Sequence, residues 1–262
     1  GLMAVLLGVG SAAALWSLAG RIGRGRNSHR GQVHAVQLLG PVAGRDPLEV
    51  LCAMPTTWQG HQPGQFVFAS FEGLEGPHPF TIASAPGSCG STPDGRPLLR
   101  LVIKPLGDYT RSLHAALQPG QAVRIEGPYG HFDGQGAQAR TQVWVAGGVG
   151  VTPFLALLEA RQPGAAQAEA LQPAHLHYCT RNAAQDAVLP RVRQLCEQAQ
   201  PPVHLQVHDA AQGDCLRPEH LVPHGTALDI WLCGPAGLGQ AVRQAADRQR
   251  GWRLHQEAFQ MR

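Results

Sequence analysis

Apolar runs along this 262-residue chain follow two rhythms, and the change between them near residue 140 limits the folds open to it. From about 31 to 140 the runs are short and strand-like. LEVLCAM (48–54) alternates, placing Leu48, Val50, Cys52 and Met54 on one face. QFVFASF (65–71), HPFTIAS (78–84), LLRLVIK (98–104) and AVRIEG (122–127) are set apart by Pro- and Gly-rich turns. Only TRSLHAAL (110–117) reads as a helix among them. Strands at this spacing predict a small closed antiparallel β-barrel. From 141 onward VWVA (143–146), HLHYC (175–179), VHLQV (203–207) and DIWLC (229–233) alternate with helical stretches at 152–162, 186–199 and 235–249. That alternation predicts an α/β doubly wound parallel sheet with helices on both faces. The boundary falls in the Gly- and Gln-rich stretch at 133–141, dividing the chain into domains at 31–138 and 139–262.

Residues 2–20 differ from both: nineteen residues without a charge. As a helix they span about 28 Å, close to the thickness of the hydrocarbon core of a bilayer. Trp16 stands near one end, and Arg21, Arg24, Arg26 and Arg30 follow at once. A secretory leader carries its positive charge ahead of the apolar run, so this order predicts a transmembrane helix within residues 1–30. The positive-inside tendency places everything after it on the cytoplasmic side of a membrane. A buried helix of a soluble protein is the alternative. With Gly1 as its first residue, the sequence reads as a piece of a longer membrane protein. The span contains no His and so offers no haem ligand.

Those four arginines exceed the whole net charge of +3, which leaves the rest of the chain near neutral and without the broad basic face of a nucleic-acid-binding protein. The six cysteines stand at least 17 residues apart, so neither a zinc pair nor a Cys-ligated iron–sulfur cluster is expected, and scattered thiols suit a reducing compartment. His175 and His177 face the same side of an expected strand. No third ligand is apparent in the sequence, so they are read as solvated strand residues and no metal site is expected.

VAGGVGVTPF (145–154) leaves a strand and enters a helix. Thr152 suits the N-cap and Pro153 the first helical position. Gly147, Gly148 and Gly150 let backbone N–H groups approach a ligand at a helix N-terminus, where a pyrophosphate is stabilised. By itself such a turn is either a ligand site or only a tight turn. WLCGPAG (231–237) repeats the pattern. Cys233 ends a strand and Gly234 and Pro235 lead into a helix, so Cys233 either points into the crevice at the carboxyl ends of the strands or is a small buried thiol.

HPFTIAS (78–84), IKPLGDYTRSL (103–113), EGPYGHF (126–132), GGVGVTP (147–153), CGP (233–235) and EAF (257–259) occur in this order. Together they resemble the flavin-binding reductase module of the ferredoxin–NADP reductase superfamily. The HPFT form is closest to its ferric reductase and NADPH oxidase branch. The resemblance implies FAD on the barrel, with Pro79 and Ser84 in the motif strand, Phe80 against the ring system and Thr81 near flavin N5. His78 stands where many relatives carry Arg. Within the second motif (Ile103, Lys104, Gly107, Tyr109, Thr110), the resemblance implies that N–H groups at a helix start capped by Thr110 hold the FAD pyrophosphate. Lys104, the chain's only lysine, is either a phosphate partner or a solvated strand end. The module further implies a nicotinamide nucleotide on Gly147–Pro153 and near Cys233. Phe259 would lie over the flavin and Glu257 beside it, unless the C-terminus is a frayed tail. Thr81, Cys233, Glu257 and Phe259 are thus the expected catalytic group. Arg181 and Asn182 follow HLHYCT with no acid before Asp186, which favours NADPH and leaves NADH open, because an acid commonly meets the ribose 2′-hydroxyl and an Arg accommodates the 2′-phosphate. By resemblance, electrons pass to haem in a transmembrane part outside this sequence, then to ferric iron or dioxygen. The alternatives are an FAD-binding electron-transfer or sensory module, or a reductase of a soluble acceptor.

Overall fold

The computed structural model describes residues 27–74, 76–137, 139–165 and 171–256. The expected transmembrane helix, Glu257 and Phe259 lie outside the described residues. No helix among the described residues is long and apolar enough to cross a membrane.

The first rhythm builds a six-stranded antiparallel sheet: β1 (Ser28–Leu38), β2 (Leu48–Ala53), β3 (Phe66–Phe71), β4 (His78–Thr81), β5 (Leu98–Ile103) and β6 (Ala122–Tyr129), in the order β4-β3-β6-β1-β2-β5. A bridge from Ile82, just past β4, to Leu101 of β5 curls the two edges together into the expected barrel. Its interior is filled by alternate residues, among them Val50, Cys52, Val67, Ala69, Leu99, Leu101, Val123 and Ile125. Helix α1 (Asp108–Ala116) seals one end with Leu113, and Leu117 just beyond it joins the same core. The helix begins two residues earlier than expected, with Gly107 as its N-cap. Thr110 therefore acts from inside the first turn rather than as the cap. Its Oγ1 accepts hydrogen bonds from the N–H groups of Leu106 (2.9 Å) and Gly107 (3.0 Å).

The second rhythm builds a five-stranded parallel sheet, order β11-β10-β7-β8-β9, from β7 (Thr141–Gly147), β8 (Ala174–Thr180), β9 (Val203–Asp209), β10 (Leu228–Cys233) and β11 (Trp252–Gln256). Helices α2 (Thr152–Glu159) and α3 (Leu189–Gln198) cover one face, and α4 (Ala236–Arg248) covers β7 and β10 on the other. Strand order reverses at β7, which opens a crevice between the carboxyl ends of β7 and β10.

The two domains share one apolar cluster. Ala83, Val102 and Phe132 of the barrel side pack with Trp144, Phe154 and Trp231, and the Phe132 ring lies 5.4 Å from Phe154 and 5.2 Å from Trp231. At its edge sits Glu159, 6% exposed, at the end of α2. Its carboxylate pairs with Arg100 of β5 and Arg191 of α3, each at 2.5 Å, and accepts from the Ser88 hydroxyl at 2.5 Å and the Ala85 N–H at 3.2 Å. Arg100 in turn pairs with Glu49 of β2 at 2.9 Å. Burial alone would raise the Glu159 carboxyl, but Arg100, the Ser88 hydroxyl and Arg191 hold it below the ordinary carboxylate range.

Removing one partner from a buried ion pair leaves an uncompensated charge. Glu159→Ala is therefore expected to lower unfolding free energy by about 3–5 kcal/mol in denaturant titrations. Because the folded-state value is depressed, this contribution is present above the unfolded carboxyl's value of about 4.3 and is lost as pH falls through the folded-state value. The stability curves of the wild type and Glu159→Gln should accordingly converge as the pH is lowered below about 4.

Candidate functional site

Strand β4 is half-buried along its whole length, whereas the chain that continues it, 82–85, is buried. Pairing with β3 sets Thr81 opposite Phe66 and Pro79 opposite Phe68, and β6 sets Tyr129 opposite Phe66. Directly opposed residues share a face. Thr81, Pro79, Phe66, Phe68 and Tyr129 thus form an aromatic-bordered surface on the outside of the barrel, with Phe66 and Phe68 rings 5.9 Å and 6.0 Å from Tyr129. Phe80 stands opposite Val67 and packs half-buried against the barrel core, its ring 6.3 Å from Phe71, so it does not share the outer face with Thr81, which corrects its expected place against the flavin ring. The His78 ring stacks on Tyr109 of α1 at 3.6 Å and 19°, so the start of β4 and the first turn of α1 are brought together as the motifs imply.

The geometry fits a dinucleotide there. A Cβ on Gly107 would meet nothing within 4 Å, so the approach to the start of α1 is open. The leading N–H groups of a helix have no partner within it. Asp108 does not crowd this end: its carboxylate is exposed and pairs with Arg111 at 2.8 Å. Lys104 is half-buried, and after the Val42 N–H and Arg45 it adds the smallest of the effects that hold Asp46 below its usual range. Two expected ligands are corrected by their surroundings. Ser84 is buried, and its Oγ accepts from the Arg100 N–H at 3.1 Å, so its hydroxyl belongs to the barrel wall. The Ile103 side chain lies in the barrel core, and its carbonyl accepts from the His114 ring at 3.0 Å.

The second half of the site divides the glycines by role. A Cβ on Gly150 would run into the Cys233 carbonyl, and one on Gly147 would come within 2.6 Å of Pro235 Cδ. Gly234 approaches the Gly147 backbone equally closely, at 3.0 Å from a Cβ to the Gly147 nitrogen. Gly150 and Gly234 let the two turns pack backbone to backbone, and Gly147 makes room for the Pro235 and Leu238 side chains; none of the three faces a ligand, which corrects the expectation that all the loop glycines do so. Gly148 alone of the loop opens outward: its φ is +55° and a Cβ would meet nothing. The chain leaves β7 through a 3-10 turn, Gly148–Val151, that runs straight into α2, so Thr152 is a buried first-turn residue and not the N-cap, and Pro153 follows it at the helix start as expected. Cys233 is buried at the end of β10. It lies in the same apolar cluster as Val151 of the glycine turn and Ala83, two residues past Thr81. The two turns touch each other at Gly150 and Cys233, and the segment just past the motif strand shares their interdomain apolar cluster.

Past β8, Arg181 is exposed. Asp186, the nearest acid, is fully engaged: Oδ2 accepts from the hydroxyls of Tyr178 (2.8 Å) and Thr180 (2.6 Å), and Oδ1 accepts from the N–H groups of Val188 (3.0 Å) and Leu189 (3.2 Å) at the start of α3. Asp186 is thereby taken out of reach of a ribose hydroxyl. The Glu159 network was missed in the sequence, because its partners are 59 and 32 residues away along the chain. The expectation of solvated His175 and His177 is also corrected. His177 is 1% exposed, and burial, aided by neighbouring histidines, lowers both rings below the usual range. Two further concavities, of about 560 Å³ at Arg243, Asp247 and Trp252 and about 150 Å³ at Gln62, Asp133 and Arg161, are lined by neither β4 nor the glycine turn.

Residues 31–133 match a family model described as FAD-binding domain. The chain is 32% identical over 154 residues to a vanillate O-demethylase oxidoreductase of Pseudomonas putida, covering 57% of this chain and 45% of that protein. It is 30% identical over 201 residues to the ferredoxin–NAD(+) reductase component of the alkene monooxygenase system of Xanthobacter autotrophicus, covering 70% and 58%. The chain thus spans about half the length of the curated relatives it matches. In fold it resembles the ferredoxin-NADP+ reductase of Plasmodium falciparum, with TM-score 0.68 at 11% identity over 89% of this chain and 97% of that one. It also resembles an Amycolatopsis cytochrome P450 reductase, with TM-score 0.67 at 22% identity over 88% and 69%. Residues 31–133 therefore match an FAD-binding domain, and they are joined to a parallel-sheet domain in the arrangement of the ferredoxin-reductase fold.

Proposed function

We propose that this chain is an NAD(P)H-dependent flavoprotein reductase that passes electrons singly to an acceptor. The observation that carries the reading is one interdomain apolar cluster that holds Ala83, two residues past the β4 motif, together with Val151 of the glycine turn and Cys233, beside which Gly148 opens outward. FAD, when bound, supplies the exchange of a hydride for single electrons, chemistry no side chain offers. The chain's own residues do the positioning. Backbone N–H groups at the start of α1 hold the FAD pyrophosphate, and the His78–Tyr109 stack borders it. The Thr81 hydroxyl presents a hydrogen bond to the reacting ring edge. Gly148 lets the nicotinamide nucleotide lie close to the start of the 3-10 turn, and Arg181 takes its 2′-phosphate, which makes NADPH the preferred donor. Phe259 and Glu257 are assigned to the same pocket on the motif resemblance alone.

For the acceptor we propose haem in a transmembrane part, then ferric iron or dioxygen, with the module held at the cytoplasmic face of a membrane by residues 2–20. The HPFT form of the motif and the charge-free run followed by arginines support this. A second reading, reduction of a separate oxygenase or ferredoxin component, is favoured by the names of the relatives. Recovery of the intact chain in the soluble fraction of cells would favour the second reading.

Stopped-flow mixing of FAD-loaded protein with NADPH is expected to bleach the flavin faster than mixing with NADH. Arg181→Ala should abolish that preference by weakening NADPH about tenfold or more while leaving NADH unchanged. Absence of bleaching with either donor would overturn the reading. The glycines give a second check. Gly148→Ala should fold, with a strain of about 1–2 kcal/mol for its left-handed backbone and a raised KM for NADPH. Gly150→Ala should instead lose melting temperature, because its methyl group meets the Cys233 carbonyl.

A further inference from the structure

The face of β8 and β9 turned away from α2 and α3 is made of imidazole. Alternation sends Leu176 and Tyr178, with Leu205 and Val207, into the apolar cluster beneath those helices. The residues between them, His175, His177 and Cys179 on β8 and His204, Gln206 and His208 on β9, show the opposite face. In a doubly wound sheet that face is ordinarily apolar and covered by a helix. Here the crossover from β9 to β10 supplies no helix. It makes three 3-10 turns, Ala210–Gln212, Pro218–His220 and Val222–His224, because Pro218 and Pro223 each start a turn and Gly213 and Gly225 end two of them. These turns carry Asp214, His220 and His224 over the imidazole face, so six of the chain's 13 histidines gather between residues 175 and 224.

We propose that His208, Asp214 and His220 form a binding site for a divalent first-row transition metal of the zinc type. Their ligand atoms all lie within 4.8 Å of one another. His208 Nδ1 is 3.1 Å from Asp214 Oδ1, and the His208 and His220 rings are parallel within 10° at 5.0 Å. His220 Nδ1 takes only a long, 3.2 Å hydrogen bond from the Arg217 N–H, which a metal would readily replace. Two imidazoles and one carboxylate suit zinc and its neighbours, whereas magnesium and calcium take all-oxygen sets. The second observation is what stands behind the site. A ligating histidine needs an acceptor for its other ring N–H. His208 Nε2 lies 3.0 Å from His177 Nδ1, and His177 Nε2 lies 2.8 Å from His224 Nε2. With a metal on His208 Nδ1, the Nε2–H of His208 donates to His177, and the Nε2–H of His177 donates to His224. The ring protons of His208 and His177 then each have an acceptor. The fourth position is left to solvent, since Asp214 is exposed. A metal there ties the crossover to the end of β9 in place of the missing helix.

The test uses FAD-loaded chain without a polyhistidine tag, stripped with chelator and titrated with Co²⁺ and then Zn²⁺. One equivalent of Co²⁺ should bind with the visible absorption of a low-coordinate nitrogen–oxygen site. Zn²⁺ should displace it and raise Tm by several degrees. Asp214→Ala and His220→Ala, both outside the buried core, should each weaken binding at least tenfold and leave flavin reduction by NADPH at the wild-type rate. Failure to bind either metal at micromolar concentration, or equal binding by wild type and both variants, would overturn the proposal.

Discussion

A buried carboxylate at the end of α2 ties the two halves of this protein together. Glu159 meets an arginine from the barrel and another from the sheet domain, and the barrel arginine is itself paired with Glu49. The pairing matters because the site belongs to neither domain alone. β4 comes from the barrel and the glycine turn from the sheet, and the two work together only if the domains hold one relative position. The apolar contact of Phe132 with Phe154 and Trp231 gives the interface its area. The ion network gives it direction, since a charge removed from water is stabilised only where its partners stand.

Much of this was legible in the sequence because it rests on local pattern. Alternation announced β2, short apolar runs between Pro- and Gly-rich turns announced β3 to β6, and the shift to strand–helix alternation announced the parallel sheet. Two strands escaped. β1 buries only Val33, and an irregularity between Val33 and Ala35 breaks its period of two within a stretch that begins among arginines. β11 is a five-residue edge strand whose only signal is Trp252 and Leu254. What could not be read locally was side-chain engagement over distance. Ser84 and Ile103 stand in matching motif positions, yet the barrel uses both. The glycines of the turn look equivalent along the chain, and only the fold distinguishes Gly148, which faces open space, from Gly147, which faces the Pro235 and Leu238 side chains, and Gly150, which faces the Cys233 carbonyl. The histidines were misjudged for the same reason, because their partners lie on a crossover whose prolines disclose its turns but not what they cover.

The same division explains how helix ends are built here. Thr110 and Asp186 both hold the start of a helix from unexpected places, Thr110 from the third residue of α1 and Asp186 from before α3. Each removes a polar group from the list of ligands available to a nucleotide. The exposed Arg181, just past β8, is left without such a task.

Where Gly150 and Gly234 let the two turns touch main chain to main chain, the gauge of the crevice is set by atoms that every amino acid shares. Side-chain substitutions around the rim can then retune which nucleotide is accepted without widening or narrowing the slot itself. Donor preference and crevice width are in this sense separable traits, and a lineage could drift in the first while the second stays fixed.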